Sequence, residues 1–302
     1  MIQRHLTKRR VRLLIGCMLA IGLAAQCYHS LAIRTDANPS AAPTVALAKP
    51  AGNEAIAAVS PDTRAPAMTI EQLAAHDPTG FLEAALDRYD RSVRDYTCTF
   101  TKQELVCGRM TARQVMEVNF REHPFSVQMT WVQNADKCLR VLYVADRWTK
   151  QGQQYAIVEP GAIAKLFVPY VMRPIHGDDA QKSSRRTIDQ FGLRNSLVLT
   201  LKYFKLAREQ QVGSLTFAGT SQVDGRDTLV FERHLPYTGE DGLWPDRVLV
   251  LHLDRQLMVP TLCLAYADEA KVKLLGEYKT TNIKINQNLP DTVFTKEGMG
   301  LQ

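Results

Sequence analysis

Cysteine is scarce in this sequence. The 302-residue chain holds six, and of the four beyond the first 32 residues, Cys98, Cys107, Cys138 and Cys263, none is at CxxC spacing or has a histidine at metal-ligand spacing, so neither a zinc site nor a disulfide framework is written in it. Catalytic signatures are also missing: there is no GxSxG nucleophile elbow, phosphate-binding loop, HExxH, GxGxxG or EF-hand loop. The seven histidines are scattered along the chain, and a lone His252 inside a predicted strand reads as a packed or edge residue rather than a ligand. Nothing here announces an enzyme, a cofactor or a metal. A charge excess of one sign is absent from most of the chain as well. The formal charge of +6 includes Arg4, Lys8, Arg9, Arg10 and Arg12, in a stretch (residues 1–32) with no Asp or Glu, so the remainder is nearly neutral and its composition gives no support for a dedicated nucleic-acid surface.

That basic terminus is followed by an apolar run from Leu13 to Ala25 and then by small residues, the layout of an export signal. Ser30-Leu31-Ala32 offers cleavage after Ala32. Uncleaved, residues 13–33 are about long enough to span a bilayer. Either way the chain is expected in the periplasm or cell envelope, free or anchored to the inner membrane. Residues 33–66 are rich in Ala, Pro and small polar groups, with too few large apolar side chains to offset chain entropy, and read as a disordered linker. The folded domain is expected over 67–302.

Asp77-Pro78 is a helix start, and Phe81, Leu82, Ala85, Leu86, Tyr89 and Val93 recur at helical spacing, predicting a helix over 78–94. The period then changes to two. Tyr96, Cys98 and Phe100; Met116, Val118 and Phe120; Phe125, Val127, Met129 and Trp131; and Val141 with Tyr143 alternate with polar residues, as in strands with one apolar face. A second helix is expected over 193–208, and 161–187 reads as irregular. Strands return from Leu215 onward, with Asp224-Gly225 a hairpin turn. The order helix, strands, helix, strands without a βαβ repeat predicts an α+β domain built on one large curved antiparallel sheet.

The apolar face supplies the candidate site. Phe100, Met116, Phe120, Phe125, Met129, Trp131 and Tyr143 would line a hydrophobic cavity if the two helices fill the concavity only partly, and would be ordinary core if they fill it. The run 182–189 places Lys182, Arg185 and Arg186 beside hydroxyls and Asp189. Arg185, Arg186 and Asp189 are candidate contacts for an anionic head group, or belong to a solvated loop pairing locally with Asp178, Asp179 and Asp189. Cys98, on the apolar strand face, reads as a packed and inert thiol. Cys107 and Cys138 should lie at the same end of the meander, where pairing depends on the distance between them.

Tyr96-Thr97-Cys98-Thr99-Phe100-Thr101-Lys102-Gln103-Glu104, Val115–Val127 with Trp131-Val132, and Arg186-Thr187-Ile188-Asp189-Gln190-Phe191-Gly192-Leu193 resemble a bacterial family of exported proteins, domain of unknown function 1571. The stretches Val250–Asp254, Met258-Val259-Pro260 and Glu277–Phe294 are similar to the closing strands of the periplasmic lipoprotein-carrier superfamily. That resemblance implies a half-open antiparallel barrel with helices packed in its concave face and a cavity accepting acyl chains. The expected function is therefore a non-enzymatic envelope protein that binds a lipid or lipidated ligand. The alternative is a structural or protein-interaction module with a fully packed core.

Overall fold

The computed structural model describes residues 68–135, 137–161, 164, 166–240 and 242–301. The signal and linker expectations fall on residues 1–66, outside the described residues, and no described helix is long and apolar enough to cross a membrane.

In chain order the elements are α1 (Ile70–His76), α2 (Pro78–Ser92), β1 (Asp95–Val106), β2 (Arg109–Met110), β3 (Gln114–Arg121), β4 (Ser126–Gln133), β5 (Cys138–Val144), β6 (Thr149–Lys150), β7 (Gln153–Pro160), β8 (Val171–Pro174), α3 (Asp178–Gln181), α4 (Leu193–Glu209), β9 (Ser214–Val223), β10 (Arg226–His234), β11 (Val248–Asp254), β12 (Pro260–Tyr266) and β13 (Leu274–Ile285). Among the described residues the strands form one antiparallel sheet in the order β6-β7-β5-β4-β3-β1-β13-β12-β11-β10-β9, with β2 attached to β1 and β8 to β7. The two ends of that order do not pair, so the sheet is open. Its halves are joined where β1 meets β13, Phe100 opposite Thr280 and Lys102 opposite Tyr278.

Local chemistry explains the ends of the elements. Asp77 Oδ1 accepts the Gly80 N–H at 2.9 Å and Pro78 takes the first helical position, where its missing N–H costs nothing. Asp224 and Gly225 both have positive φ (55° and 74°), the backbone of a two-residue turn whose twist matches its strands. Helix α1 was not expected from periodicity. Seven residues give too short a pattern, and the signal is instead the reciprocal cap between Thr69 and Gln72. Strands β7 and β8 lie in or beside a stretch without alternation and were also not foreseen.

The helices are not spread evenly over the sheet. Leu82 and Ala85 of α2 and Leu197, Leu201 and Phe204 of α4 pack against Leu229, Phe231, Leu251 and Leu253, so they cover the β9–β11 half. The one-faced expectation needs correction at β5, and the unforeseen β7 is likewise buried on both faces. Leu142, Val144 and Ile157 point away from the concave side and are buried beneath Phe294, Met299 and Leu301 of the C-terminal segment. Arg121 lies 4.7 Å from the Phe294 ring centroid, and Arg147 Nη1 donates to the Phe294 carbonyl at 2.8 Å, clamping that segment on the convex face. Cys98, Cys107, Cys138 and Cys263 are all free.

Candidate functional site

Because the helices sit to one side, the concave face from β7 through β5, β4, β3 and β1 to β13 and β12 is left with a cavity of about 1230 Å³, walled on one side by α4. Strand alternation aims Phe100, Met116, Met129, Trp131, Val141 and Val158 into it, and Ile175, Ile188, Phe191 and Leu193 close it from the opposite side. Of the candidate apolar residues, Phe100, Met116, Met129 and Trp131 therefore line the space. Phe120, Phe125 and Tyr143 do not: the Phe120 ring stacks 4.7 Å from Tyr96 and meets Phe125 edge-on at 5.1 Å, and Tyr143 lies 5.9 Å from Phe125. These aromatics form the floor on which the lining stands.

The segment 186–193 is held to that floor by Gly192. Its φ of 119° is one that side chains rarely adopt, and a Cβ there would meet the Phe120 ring at 3.3 Å and the Tyr96 hydroxyl at 3.4 Å. The next N–H, of Leu193, donates to the Tyr96 hydroxyl at 3.3 Å. Burial pushes the Tyr96 phenol far above its ordinary range, which keeps it a neutral hydroxyl.

One end of the cavity is polar, and its organising group is Glu104, which is 0% exposed. Its carboxylate accepts from Tyr278 Oη at 2.8 Å, Ser184 Oγ at 2.9 Å, Lys102 Nζ at 3.0 Å and the Arg185 N–H at 3.2 Å. Burial alone would raise the carboxyl, but the charge of Lys102 and the hydrogen bonds from Lys102, Tyr278 and Ser184 outweigh it and hold Glu104 below the usual carboxylate range. A depressed folded value means that the stabilisation is complete above the ordinary glutamate value of about 4.3 and is lost as pH falls through the lower, folded value. Glu104→Gln is accordingly expected to lower the urea midpoint at neutral pH and to flatten its fall as the pH drops below the ordinary glutamate value. Parallel midpoint curves for the variant and the unchanged protein would refute that role.

Beside this network Arg233 Nη2 holds both oxygens of Asp246 at 2.8 and 2.9 Å, each side chain being 2% exposed. Arg233 Nη1 reaches the carbonyls of Leu199 and Thr200 at 3.3 and 3.2 Å, fastening α4 to β10. Neither group was identified from the sequence, although a signal exists. Lys102 and Glu104 continue the inward phase of Phe100, and Arg233 that of Leu229 and Phe231, so each is a polar residue in a strand's apolar phase.

The basic run behaves residue by residue. Lys182 and Asp178 are 3.9 Å apart and Arg173 and Asp179 3.4 Å, so part of the cluster does pair locally. Arg185 Nη2 donates to the Pro245 carbonyl at 2.8 Å, with Glu240 at 4.0 Å. Asp189 lies outside the cavity lining, 3.3 Å from His176. Arg186 lines the cavity, and among the described residues its guanidinium has no hydrogen-bond or ion-pair partner. The lining as a whole carries eight cations against three carboxylates, Glu104, Asp179 and Asp246. Such a space can hold an apolar chain against one wall and negative charge at the other.

The nucleophiles near it are subdued. Burial pushes the Cys138 and Cys263 thiols up to about 12, so both are protonated at neutral pH. Ser184 donates to a carboxylate that Lys102 keeps charged. Among the described residues no cluster of His, Cys, Asp or Glu is arranged to hold a metal ion.

Residues 93–298 match the model of the family described as "Protein of unknown function (DUF1571)". The chain belongs to this family. No curated protein matches the chain by sequence. Among solved structures it is similar to the MucA/MucB complex of Pseudomonas aeruginosa (16% identity, 72% of this chain and 61% of that one, TM-score 0.42). It is also similar to the lipoprotein LppX of Mycobacterium tuberculosis (11% identity, 71% and 98%, TM-score 0.34) and to a LolA superfamily protein from Nitrosomonas europaea (12% identity, 72% and 98%, TM-score 0.25). This member of the unknown-function family thus spans under two thirds of the MucB-containing chain it matches.

Proposed function

We propose that this protein is a non-enzymatic binder of an amphiphilic lipid or lipidated ligand in the cell envelope. The acyl chain would lie along Phe100, Met116, Met129 and Trp131, and an anionic head group would meet Arg186, with Arg185 beside it. The observation that carries this reading is the cavity of about 1230 Å³, apolar along the sheet and strongly cationic in its ionisable lining. That volume exceeds the several hundred Å³ of most small-ligand sites and suits an extended chain. A packed interaction module has no use for an interior space of this size, because unfilled apolar volume only costs stability. The export-like terminus, Arg4 to Ala32, supports the envelope as the place of action.

A paired-probe titration tests it, using a fluorescent fatty acid and the fatty alcohol of the same chain. The unchanged protein should take up both and prefer the acid. Arg186→Gln should weaken acid binding roughly ten- to hundredfold while leaving the alcohol unaffected, because a charge-assisted contact contributes roughly 1.5–3 kcal/mol. Uptake of neither probe, together with no lipid released on solvent extraction of the purified protein, would overturn the binding function itself. Equal uptake of both by protein and variant would overturn only the role of Arg186.

A further inference from the structure

Exposed large apolar side chains are distributed unevenly over the domain. At one end of the sheet lie the β1–β2 turn, the β4–β5 connection and the β7–β8 connection, as the pairing of Leu105 with Met110, Cys138 with Pro160 and Val158 with Val171 requires. This end displays Leu166 and Phe167, each 81% exposed, together with Met110, Val132, Val168 and Met172. The β10–β11 and β12–β13 connections reach the same end, since Val248 pairs with Tyr266 and Tyr266 with Leu274, and they add Leu243 and Val272. The turns at the opposite end, 122–125, 145–152, 224–225 and 255–259, contribute none; Met68 and Leu73, the two remaining exposed large apolar residues among those described, belong to the α1 segment, whose Glu71 lies 2.7 Å from Arg255.

Positive charge gathers on one side of this rim. In the sequence, segments 106–113, 133–138 and 160–174 hold Arg109, Arg113, Lys137, Lys165 and Arg173 against a single carboxylate, Asp136, whereas the connections 235–247 and 267–273 hold Glu240, Asp241, Asp246, Asp268 and Glu269 against Arg247, Lys271 and Lys273. Arg113 is bound to Glu277 at 2.7 Å and Arg173 lies 3.4 Å from Asp179, whereas the side chains of Arg109 and Lys137 have no carboxylate partner among the described residues. The cavity reaches this rim, where Arg109, Met110, Ala135, Lys137, Val171 and Arg173 line its mouth.

We infer that this rim docks onto an anionic lipid bilayer, with Leu166 and Phe167 entering the interface and the cavity mouth turned toward the membrane. Apolar side chains projecting from separate turns, with cations between them, suit a fluid surface into which each inserts independently and whose negative charge attracts Arg109 and Lys137. A protein partner would instead be expected to need one contiguous, well-packed patch. Docking in this orientation would let an amphiphile pass between bilayer and cavity without crossing water, but the docking itself does not depend on what the cavity holds.

The test uses the full-length chain with a reporter tryptophan at either end. Phe167→Trp marks the rim, and Lys150→Trp marks the opposite end, on exposed β6. With vesicles of brominated phosphatidylglycerol, Phe167→Trp should shift its emission to the blue and lose intensity, and Lys150→Trp should do neither beyond the background of the native tryptophans. Replacing the lipid with brominated phosphatidylcholine, or adding Arg109→Glu with Lys137→Glu, should reduce the quenching severalfold. Adding Leu166→Asp should abolish it. Equal quenching at both ends, or none at Phe167→Trp, would overturn the inference. A blue shift without quenching by lipid would also overturn it, since that is the signature of a protein partner or a second copy covering the rim.

Discussion

Asp246→Ala is expected to destabilise the domain by about 3–5 kcal/mol, the range for a buried charge deprived of its partner. Arg233 would remain in place, 2% exposed and unable to shed its proton, with the Leu199 and Thr200 carbonyls and the Tyr203 ring, 5.6 Å away, left to its guanidinium. Those carbonyls belong to α4, so the loss should be felt where the helix meets the sheet. Denaturant unfolding measures the total. Amide exchange should show α4 losing protection before β3 and β4 do. The paired replacement Arg233→Met with Asp246→Leu separates the cost of an orphaned charge from the worth of the ion pair. It should recover most of the stability, because an apolar pair of similar volume is often neutral or better at a dry site. A loss of under about 1 kcal/mol for Asp246→Ala would show that water reaches Arg233 and that the pair is not sealed.

Phe120→Ala carries the other large effect, about 3–5 kcal/mol, because it opens a hole under Tyr96, Phe125 and Phe191, where no element is free to collapse. Trp131→Ala is expected to behave differently although both residues stand on the same strand face. Trp131 already borders the cavity and is only partly buried, so its removal enlarges an existing space and should cost well under half as much. What it should lose is ligand: uptake of the fluorescent fatty acid should weaken severalfold, while Phe120→Ala should leave affinity nearly unchanged in whatever fraction stays folded. Thermal or urea unfolding and the probe titration on the same samples decide between them. Equal destabilisation by both substitutions, with no change in uptake, would place Trp131 in the core and empty the lining of its role.

The contrast between these two aromatics shows where strand alternation stops being informative. Period two states which face a side chain takes and nothing about what stands opposite. Phe100, Met116, Phe120, Phe125, Met129, Trp131 and Tyr143 all take the concave side, yet only Phe100, Met116, Met129 and Trp131 border the cavity. The others are covered by Tyr96 and by the segment ending at Gly192. The basic run divides in the same way. Lys182, Arg185 and Arg186 are near neighbours in sequence, but Lys182 lies near Asp178, Arg185 is tied to Pro245, and Arg186 faces the cavity without a partner. Glu104 and Arg233 were legible as polar residues in an apolar phase, a local inconsistency that marks a special site without naming the partners that satisfy it.

The scarcity of cysteine and of catalytic motifs, the clustering of cations before the apolar run, the capped helix at Asp77, the Asp224-Gly225 turn and the period-two runs are properties of neighbours in the chain. They determined, without a structure, an export-like terminus and an antiparallel α+β domain, and they offered no catalytic machinery. Everything that makes a cavity depends on residues far apart in sequence. The β1–β13 pairing closes the middle of the sheet, the helices settle on the β9–β11 half, Asp246 finds Arg233, and Lys102, Ser184 and Tyr278 converge on Glu104. Those choices are made by packing and by the cost of burying unpaired charge, so only the tertiary structure decided that the helices fill part of the concave face and leave a cavity running from β7 across β1 to β12.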